Sequence, residues 1–204
     1  MTKQQKISHR QAQKEDTRRI ILDSAYFLFA KNGYAKTTMR SLAEQAGVGL
    51  GTIFKHFPDK PSLLAAAFQD DLSKIIQISF QSLPKFGFKN QLLHITKNIY
   101  AFYAEKPSFS KTLIKEVLFL EGEHGKILDA QVMAFLHEIS ELLKRAIENK
   151  ELSSEINPED GALAFWSFYF TVLLMGLKQQ SFNINHQIKI IEKLIVNHFY
   201  NRGE

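Results

Sequence analysis

The chain has 204 residues, of which 45% are hydrophobic and 23% are charged, a balance typical of a globular protein that folds in water. It contains no cysteine, which excludes disulfide bonds and thiolate metal sites. Residues 1–10 have no apolar run behind their positive charges, so they do not form a secretory signal, and a cytoplasmic protein is expected.

The excess positive charge of the chain lies at its N-terminal end. Residues 1–60 hold 11 Lys and Arg against 5 Asp and Glu, a net charge of +6, whereas residues 61–204 hold 15 against 16, a net charge of −1. This asymmetry is expected of a protein whose N-terminal end binds nucleic acid. A solvated basic surface is the alternative that charge alone leaves open.

The N-terminal segment is predicted to hold an arm and a helix. Residues 1–16 are polar and show no periodicity, which indicates a flexible basic arm. The charges of this arm, which would either contact DNA or remain in solvent, are Lys3, Lys6, Arg10 and Lys14. A helix is predicted to begin near Thr17, which can cap it, and to end at Asn32 and Gly33. Its apolar face repeats at helical spacing and comprises Ile21, Ala25, Leu28 and Phe29.

Two short helices joined by a glycine turn are the most informative part of the sequence. The first is predicted from residue 37 or 38 to residue 46, and the second over residues 50–57. This arrangement is a helix-turn-helix, in which the second helix enters the major groove of DNA. Gly47 permits the left-handed backbone of the turn. The side chains expected to hold the two helices at a fixed angle are Ala43, Val48 and Ile53.

Breaking residues divide the rest of the chain into further helices. A fourth helix, capped by Asp59, is predicted to reach about Leu83, and later helices are predicted at residues 90–105, 107–120, 126–149, 159–179 and 184–201. No pair of strands is found. The fold class is therefore predicted to be all-α, with a three-helix DNA-binding domain at residues 17–62 and a larger helical ligand-binding and dimerisation domain at residues 63–204.

Residues 17–68 contain a series of short motifs around the predicted helix-turn-helix. The motifs are Thr17-Arg-x-Ile-Ile-Leu-Asp-x-Ala25, Leu28-Phe29, Gly33-Tyr34, Thr37-Thr38-Met39, Leu42-Ala43, Ala46-Gly47-Val48, Gly51-Thr-Ile-Phe54, Phe57 and Lys60-x-x-Leu63-Leu64. With these motifs, residues 17–68 resemble the DNA-binding domain of the tetracycline-repressor (TetR) family. The resemblance implies a homodimeric repressor that binds a palindromic operator and is released from it by a ligand in the larger domain.

The resemblance also implies which residues bind DNA. Arg40 falls on a base-reading position, Thr38 on a phosphate-contacting N-cap and Lys60 on a phosphate-binding lysine. The contacts implied for the recognition helix fall on Leu50, Gly51, Thr52, Phe54, Lys55 and His56.

Three positions depart from the pattern of the family. Phe54 stands where a tyrosine hydroxyl usually reaches a phosphate, and Gly49 stands where a serine often caps the recognition helix. Leu50 stands at a position that is often polar, and we expect it to touch a thymine methyl group.

The last two predicted helices are the candidates for a dimer interface. Residues 161–177 carry no charge, and a helix that is apolar on several sides needs more than one partner. A purely intramolecular core is the alternative. The last helix also needs a second partner, because Ile190 and Leu194 lie off its main apolar stripe. That stripe comprises Ile184, Ile188, Ile191, Ile195 and Phe199.

The larger domain is also rich in aromatic residues, which suggests a pocket for a hydrophobic or aromatic effector. For each aromatic residue taken alone, an ordinary place in the core is the alternative. The residues predicted to bind the effector are Phe102, Phe119, Phe165, Trp166 and Tyr169.

The sequence shows no motif for catalysis. Glu121 and His124 have the Glu-x-x-His spacing of carboxylate metal sites, but beside Gly122 and Gly125 they are expected to form a solvated turn. Neither a P-loop nor a Gly-x-Ser-x-Gly elbow is found. We therefore expect no enzyme, no metal and no cofactor.

The sequence leaves three candidate functions open. A ligand-responsive, sequence-specific repressor is favoured over an effector-independent, non-specific DNA-binding protein. The third is a helical bundle whose basic end meets acidic lipids. Membrane insertion is not expected, because the uncharged run at residues 161–177 is shorter than the roughly 20 residues that a spanning helix requires.

Overall fold

The computed structural model describes the backbone of residues 3–200 and the side chains of residue 9 and residues 11–200. Within these residues no strand is formed, so the all-α prediction is confirmed. The helices are α1 (Lys3–Asn32), α2 (Met39–Ala46), α3 (Leu50–His56), α4 (Lys60–Gln81), α5 (Phe88–Glu105), α6 (Pro107–Val117), α7 (Gly122–Glu148), α8 (Pro158–Lys178) and α9 (Ile184–Ile195), followed by a π-helical turn at Val196–Tyr200.

The chain divides into two compact units. The N-terminal unit comprises Met1–Asp70 together with Thr112–Gly125, and the second unit comprises Asp71–Lys111 together with Lys126–Glu204. The division falls later than the predicted boundary at residue 62. The N-terminal unit also takes in the end of α6 and the start of α7, which are distant from it in sequence.

Helix α1 begins well before the predicted start near Thr17, and that prediction is wrong. Residues 3–16 contain Lys, Gln, Arg, Ala and Glu, which are strong helix formers, and contain neither Gly nor Pro. The Thr17 hydroxyl donates to the Gln13 carbonyl at 2.8 Å, as a hydroxyl does inside a helix rather than at its cap. Of the four predicted arm charges, the exposed Lys14 is described, and the side chains of the others lie outside the described residues.

The core of the N-terminal unit is built on the predicted face of α1. All four of its apolar residues are buried, as are Leu42 of α2, Ile53 of α3 and Leu63 of α4. Each helix therefore contributes one apolar face, and the opposite faces of α2 and α3 remain in solvent.

The second unit is held together by α5, α8 and α9. The hydroxyl of Tyr100 on α5 donates to the carbonyl of Tyr169 on α8 at 2.6 Å, inside the core. A side chain at Gly176 of α8 would clash with Phe182, since its Cβ would lie 2.6 Å from that ring. Gly176 thus permits the close approach of the segment that leads into α9.

Helix α8 is long and apolar enough to cross a membrane by length and composition alone. The core helix of a protein that stays in water meets the same criterion, and α8 is partly buried here. Eight of its residues are buried inside the second unit: Gly161, Ala162, Phe165, Tyr169, Val172, Leu173, Gly176 and Leu177.

The apolar stripe predicted for the last helix faces inward for most of its length. Ile191, Ile195 and Phe199 are buried in the core of the second unit. This stripe therefore packs inside the second unit, whereas Ile190 and Leu194, which lie off it, are half-buried.

The segment Glu121–His124 is not the predicted solvated turn, because α7 begins at Gly122. Gly122 adopts a φ of 77°, which favours glycine. A side chain at Gly125 would collide with the Leu120 carbonyl, so a glycine is needed where the helix starts against the preceding chain. No group of three potential metal ligands occurs in the described part of the chain.

The buried amide of Gln187 generates a testable prediction. Gln187 is fully buried, and neither of its amide atoms has a hydrogen-bond partner among the described residues. Because an unpaired buried polar group costs free energy, we expect Gln187→Met to raise the free energy of unfolding by about 1–2 kcal/mol in urea denaturation. The same change at the exposed Gln179 should have almost no effect. A lower free energy of unfolding for Gln187→Met would show that the amide has a partner in solution.

Candidate nucleic-acid interface

The start of α2 is fixed by a reciprocal pair of hydrogen bonds. Thr38 is the extended N-cap residue, and its hydroxyl accepts a bond from the Ser41 N–H at 3.0 Å. The Ser41 hydroxyl in turn accepts from the Thr38 N–H at 3.0 Å. Such a capping box contributes about 1 kcal/mol to the stability of a helix. Thr38 is therefore the N-cap residue of α2, and its contact with a phosphate stays a prediction.

The turn between α2 and α3 depends on Gly47. Its backbone is left-handed, with φ 65° and ψ 28°, and the next N–H, of Val48, donates to the Ala43 carbonyl at 3.0 Å. A residue with a side chain would cost roughly 1–2 kcal/mol in this conformation. Of the three residues predicted to hold the two helices, Ala43 and Ile53 are buried on either side of the turn and Val48 is half-buried.

The short helix α3 has one buried face and one solvent face. Ile53 and, at its end, Phe57 are fully buried. Leu50 and Phe54 are 41% and 48% exposed, which is unusual for apolar residues of this size. The other predicted contacts of this helix share its outer side: Gly51 and Lys55 are exposed, and Thr52 and His56 are half-buried.

The two remaining predicted DNA contacts, Arg40 and Lys60, lie on either side of α3 in the sequence and differ in exposure. Arg40 is exposed on α2. Lys60, at the start of α4, is half-buried, and its ammonium group donates to the carbonyls of Tyr34 and Thr37 at 3.0 Å each. The same group lies 4.2 Å from the centre of the Tyr34 ring. A lysine has three N–H donors, so one of them remains for a phosphate.

Tyr34 connects Lys60 to the end of α6. Its hydroxyl donates to the Glu116 carboxylate at 3.2 Å, within the N-terminal unit. Burial raises the pKa of Tyr34, and the negative charge of Glu116 raises it further, so the phenol stays protonated as the donor. No sequence pattern points to this bond, because the two residues are 82 positions apart.

Phe57 meets the start of α7 at the other end of α3. The rings of Phe57 and His124 are stacked with their centres 5.6 Å apart, and the Arg18 guanidinium lies 5.8 Å from the centre of the Phe57 ring. The Nδ1 atom of His124 is buried without a hydrogen-bond partner among the described residues. Burial lowers the pKa of His124, and the nearby Arg18 charge lowers it further.

His56 adds no positive charge to the outer face of α3 at neutral pH. Burial lowers its pKa, and the charges of Lys14 and Arg18 lower it further. The charge on this helix therefore comes from Lys55. The neutral imidazole of His56 can still offer a donor and an acceptor to a base or a phosphate.

Three of the five residues predicted to bind an effector form one aromatic cluster. Phe165 and Tyr169 are buried, and with the half-buried Trp166 they pack around Phe135 at ring distances of 5.7–6.4 Å. Phe102 packs against Tyr103. Phe119 is 88% exposed and belongs to the N-terminal unit, so its assignment to the same pocket is wrong. It follows Leu118 in the short connection between α6 and α7, where no partner helix covers it.

An open cleft of about 350 Å³ lies between α4 and α7 in the second unit. None of the five predicted residues lines it, although Phe135 joins the cleft to their cluster. The cleft could not be predicted from the sequence, because its residues come from two helices that are distant in the chain. Its lining is Ser73, Ile76, Gln77, Phe80, Gln81, Gln131, Ala134, Phe135 and Glu138.

The contact between His124 and Phe57 predicts that acid destabilises the protein. The folded-state pKa of His124 is lowered, so below the unfolded value of 6.5 the unfolded chain binds a proton that the folded chain does not. The free energy of unfolding therefore has its full value above pH 6.5 and falls as the pH drops below 6.5. We expect His124→Phe to flatten this fall in urea denaturation at several pH values between 5 and 7. If His124→Phe leaves the slope of the free energy of unfolding against pH unchanged, then His124 is protonated in the folded protein without loss of stability.

Comparison with known proteins agrees with this geometry. Residues 21–67 match the family model described as bacterial regulatory proteins, tetR family. The chain is 28% identical over 158 residues to the HTH-type transcriptional regulator AcrR of Shigella flexneri, with 73% of each chain covered. It is 42% identical over 64 residues to the HTH-type transcriptional repressor KstR of Rhodococcus jostii, covering 31% of this chain and 30% of that protein.

Among solved structures, FadR of Thermus thermophilus, a TetR-family transcriptional repressor in complex with lauroyl-CoA, has the same fold. The TM-score is 0.73 at 19% identity, covering 92% of this chain and 97% of FadR. The helix-turn-helix geometry and the family model together identify residues 21–67 as a DNA-binding domain of the kind found in bacterial regulatory proteins of the tetR family.

Proposed function

We propose that this protein is a dimeric, sequence-specific repressor that binds a palindromic operator through α3 and is released from it by a small molecule. The observation that carries the proposal is the two-sided character of α3. Ile53 and Phe57 fix its inner face in the core, whereas Leu50, Phe54 and Lys55 project into solvent from its outer face. A helix that is held rigidly and exposes its early residues fits the major groove.

The exposed residues divide into two roles. Leu50 offers an apolar contact for a thymine methyl group, and Arg40 offers two parallel donors for a guanine. Thr52 and His56 are placed to contact base edges or phosphates. Lys55, Lys60 and the N-terminal end of α2 at Thr38 would contact phosphates, and so set the position of the protein on the duplex.

The second unit supports a response to an effector. FadR of Thermus thermophilus binds lauroyl-CoA with the same fold. The cleft between α4 and α7 has a volume within the range of about 300–1,000 Å³ that small-molecule sites occupy. A repressor of this kind works on chromosomal DNA, which places it in the bacterial cytoplasm.

A titration of DNA tests the proposal. Purified full-length protein would be titrated onto the DNA upstream of its own gene and onto scrambled DNA of equal length, at two salt concentrations. A preference of roughly a thousandfold for its own DNA is expected of a specific regulator. Equal binding that collapses with salt would show that only phosphate is recognised. That result would favour the non-specific DNA-binding alternative.

A tyrosine at position 54 should strengthen DNA binding. Phe54 is 48% exposed on the outer face of α3, so an added hydroxyl would point away from the core. A hydrogen bond to a phosphate contributes about 0.5–1.5 kcal/mol, which corresponds to roughly twofold to tenfold in affinity. We expect this gain for Phe54→Tyr in a mobility-shift titration, on operator and scrambled DNA alike. An unchanged affinity would mean that Phe54 lies away from the DNA backbone.

The two lysines near the interface should behave differently when replaced. Lys55 is exposed, so Lys55→Gln should reduce the slope of log affinity against log salt by about 1 and leave stability unchanged. Lys60→Gln should reduce the slope similarly but also cost about 1 kcal/mol of stability, because the carbonyls of Tyr34 and Thr37 lose a charged donor. A salt slope that Lys55→Gln leaves unchanged would contradict a phosphate contact at Lys55.

The outer face of α8 is the surface that we propose for dimerisation. Leu163 and Met175 are 55% and 50% exposed, and the exposed Ser167 and Thr171 lie between them at intervals of four residues. These four residues therefore form one stripe along the helix. Small side chains in its middle would allow α8 of a second subunit to approach closely. On α9, the half-buried Ile190 and Leu194 would extend the surface.

Charges in this stripe should break the dimer. Leu163→Glu together with Met175→Glu would bury two carboxylates in a subunit interface, so we expect a monomer in analytical ultracentrifugation. Affinity for a palindromic operator should fall by roughly tenfold or more, since two half-sites no longer bind as one unit. Phe86→Glu, at a residue 84% exposed elsewhere in the second unit, is the matched control and should remain dimeric. A dimer of unchanged mass for the α8 variant would place the interface elsewhere.

A further inference from the structure

The cleft between α4 and α7 has an aromatic wall. The rings of Phe80 and Phe135 pack edge to face with their centres 5.9 Å apart, and Ile76 and Ala134 add apolar surface. This lining would take the apolar body of a ligand.

The wall is backed by a larger cluster of rings in the second unit. Trp166 lies 5.7 Å from Phe135 in an edge-to-face arrangement, and Tyr169 lies 5.9 Å from it. The face of an aromatic ring carries partial negative charge, so such a wall attracts a cation. Trp166 is the single tryptophan of the chain, and its fluorescence therefore reports on this region.

The polar lining of the cleft is negative or neutral. Its one charged residue among those that the structure describes is Glu138, which is exposed. The remaining polar groups are a serine and three glutamines, and the amide of Gln131 donates to the Ser73 hydroxyl at 3.2 Å. Lys, Arg and His are absent from the described residues that line the cleft.

The charged residues close to the cleft leave its net charge negative. On α4, Lys74 follows Ser73, but its ammonium group lies 3.9 Å from the Asp71 carboxylate. On α7, His137 precedes Glu138 and is exposed. Within the described residues Glu138 has no ion pair, so its charge is available to a ligand.

We propose that this cleft binds a lipophilic cation, with an aromatic body against Phe80 and Phe135 and its positive charge facing Glu138. The inference rests on the proposed function, in which an effector binds the second unit. A fatty acid or an acyl-CoA would bring negative charge to a carboxylate, with no cationic side chain in the lining to compensate. The cleft therefore selects against the class of ligand that FadR of Thermus thermophilus binds.

Two probes of nearly equal shape and opposite charge test the inference. Tetraphenylphosphonium and tetraphenylborate would be titrated onto the full-length protein without DNA, with Trp166 fluorescence and equilibrium dialysis as readouts. Lauroyl-CoA serves as the acyl probe. We expect the phosphonium ion to bind at one site per chain and at least tenfold more tightly than either anion.

A charge-neutral variant assigns the preference to the cleft. Because Glu138 is exposed, Glu138→Gln should leave the fold intact and weaken phosphonium binding about fivefold, as expected for one partly screened ion pair. Glu148→Gln, at an exposed carboxylate on the same helix, is the matched control and should bind as the unaltered protein does. Tighter binding of tetraphenylborate or lauroyl-CoA overturns the inference. So does an equal effect of the two variants, or the absence of phosphonium binding.

A final measurement separates this inference from the proposed function. The phosphonium ion would be added to the complex of the protein with its own upstream DNA. Release of DNA by the unaltered protein, together with weaker release by Glu138→Gln, supports both the cation site and the effector response. Binding of the ion without release leaves the cation site standing and overturns the effector response. Specific DNA binding with no cation site leaves the regulator standing and overturns this inference.

Discussion

Every contact that we propose between the N-terminal unit and DNA depends on the angle between α2 and α3. Gly47 supplies the left-handed turn, and the burial of Leu42 and Ile53 fixes the two helices against α1. Since the contacts of a recognition helix are made over distances of about 3 Å, a small rotation of α3 would misplace all of them together. The turn and its buried neighbours therefore set the angle at which the exposed side chains are presented.

The ends of this rigid element are held by residues that come from far along the chain. Near the start of α2, Tyr34 contacts Lys60 and donates to Glu116. At the end of α3, Phe57 stacks on His124. Both Glu116 and His124 lie in the segment Thr112–Gly125, which joins α6 to α7 and belongs to the N-terminal unit. A displacement of this segment would therefore act on α2 and α3 from both ends.

The local parts of this architecture could be predicted from the sequence, because neighbouring residues encode them. The periodicity around Ile21 and Phe29, the glycine turn and the Thr38 cap all depend on residues a few positions apart. The effector residues were not predictable in the same way, since the cleft is formed by two helices that are distant in the chain. Phe119 looked like its aromatic neighbours in composition, yet it lies in an exposed connection of the other unit. The true start of α1 could not be predicted, because a polar sequence without an apolar face gives no periodic signal.

The central claim is that a rigid α3, repeated by two-fold symmetry, reads a DNA sequence. Selection of bound fragments from a random DNA library by the full-length protein tests it most directly. We expect enrichment of two inverted half-sites at a fixed spacing, and a changed preference at one position per half-site for Leu50→Ala. Recovery of fragments with no common sequence would contradict it, because the exposed face of α3 would then be binding phosphate alone.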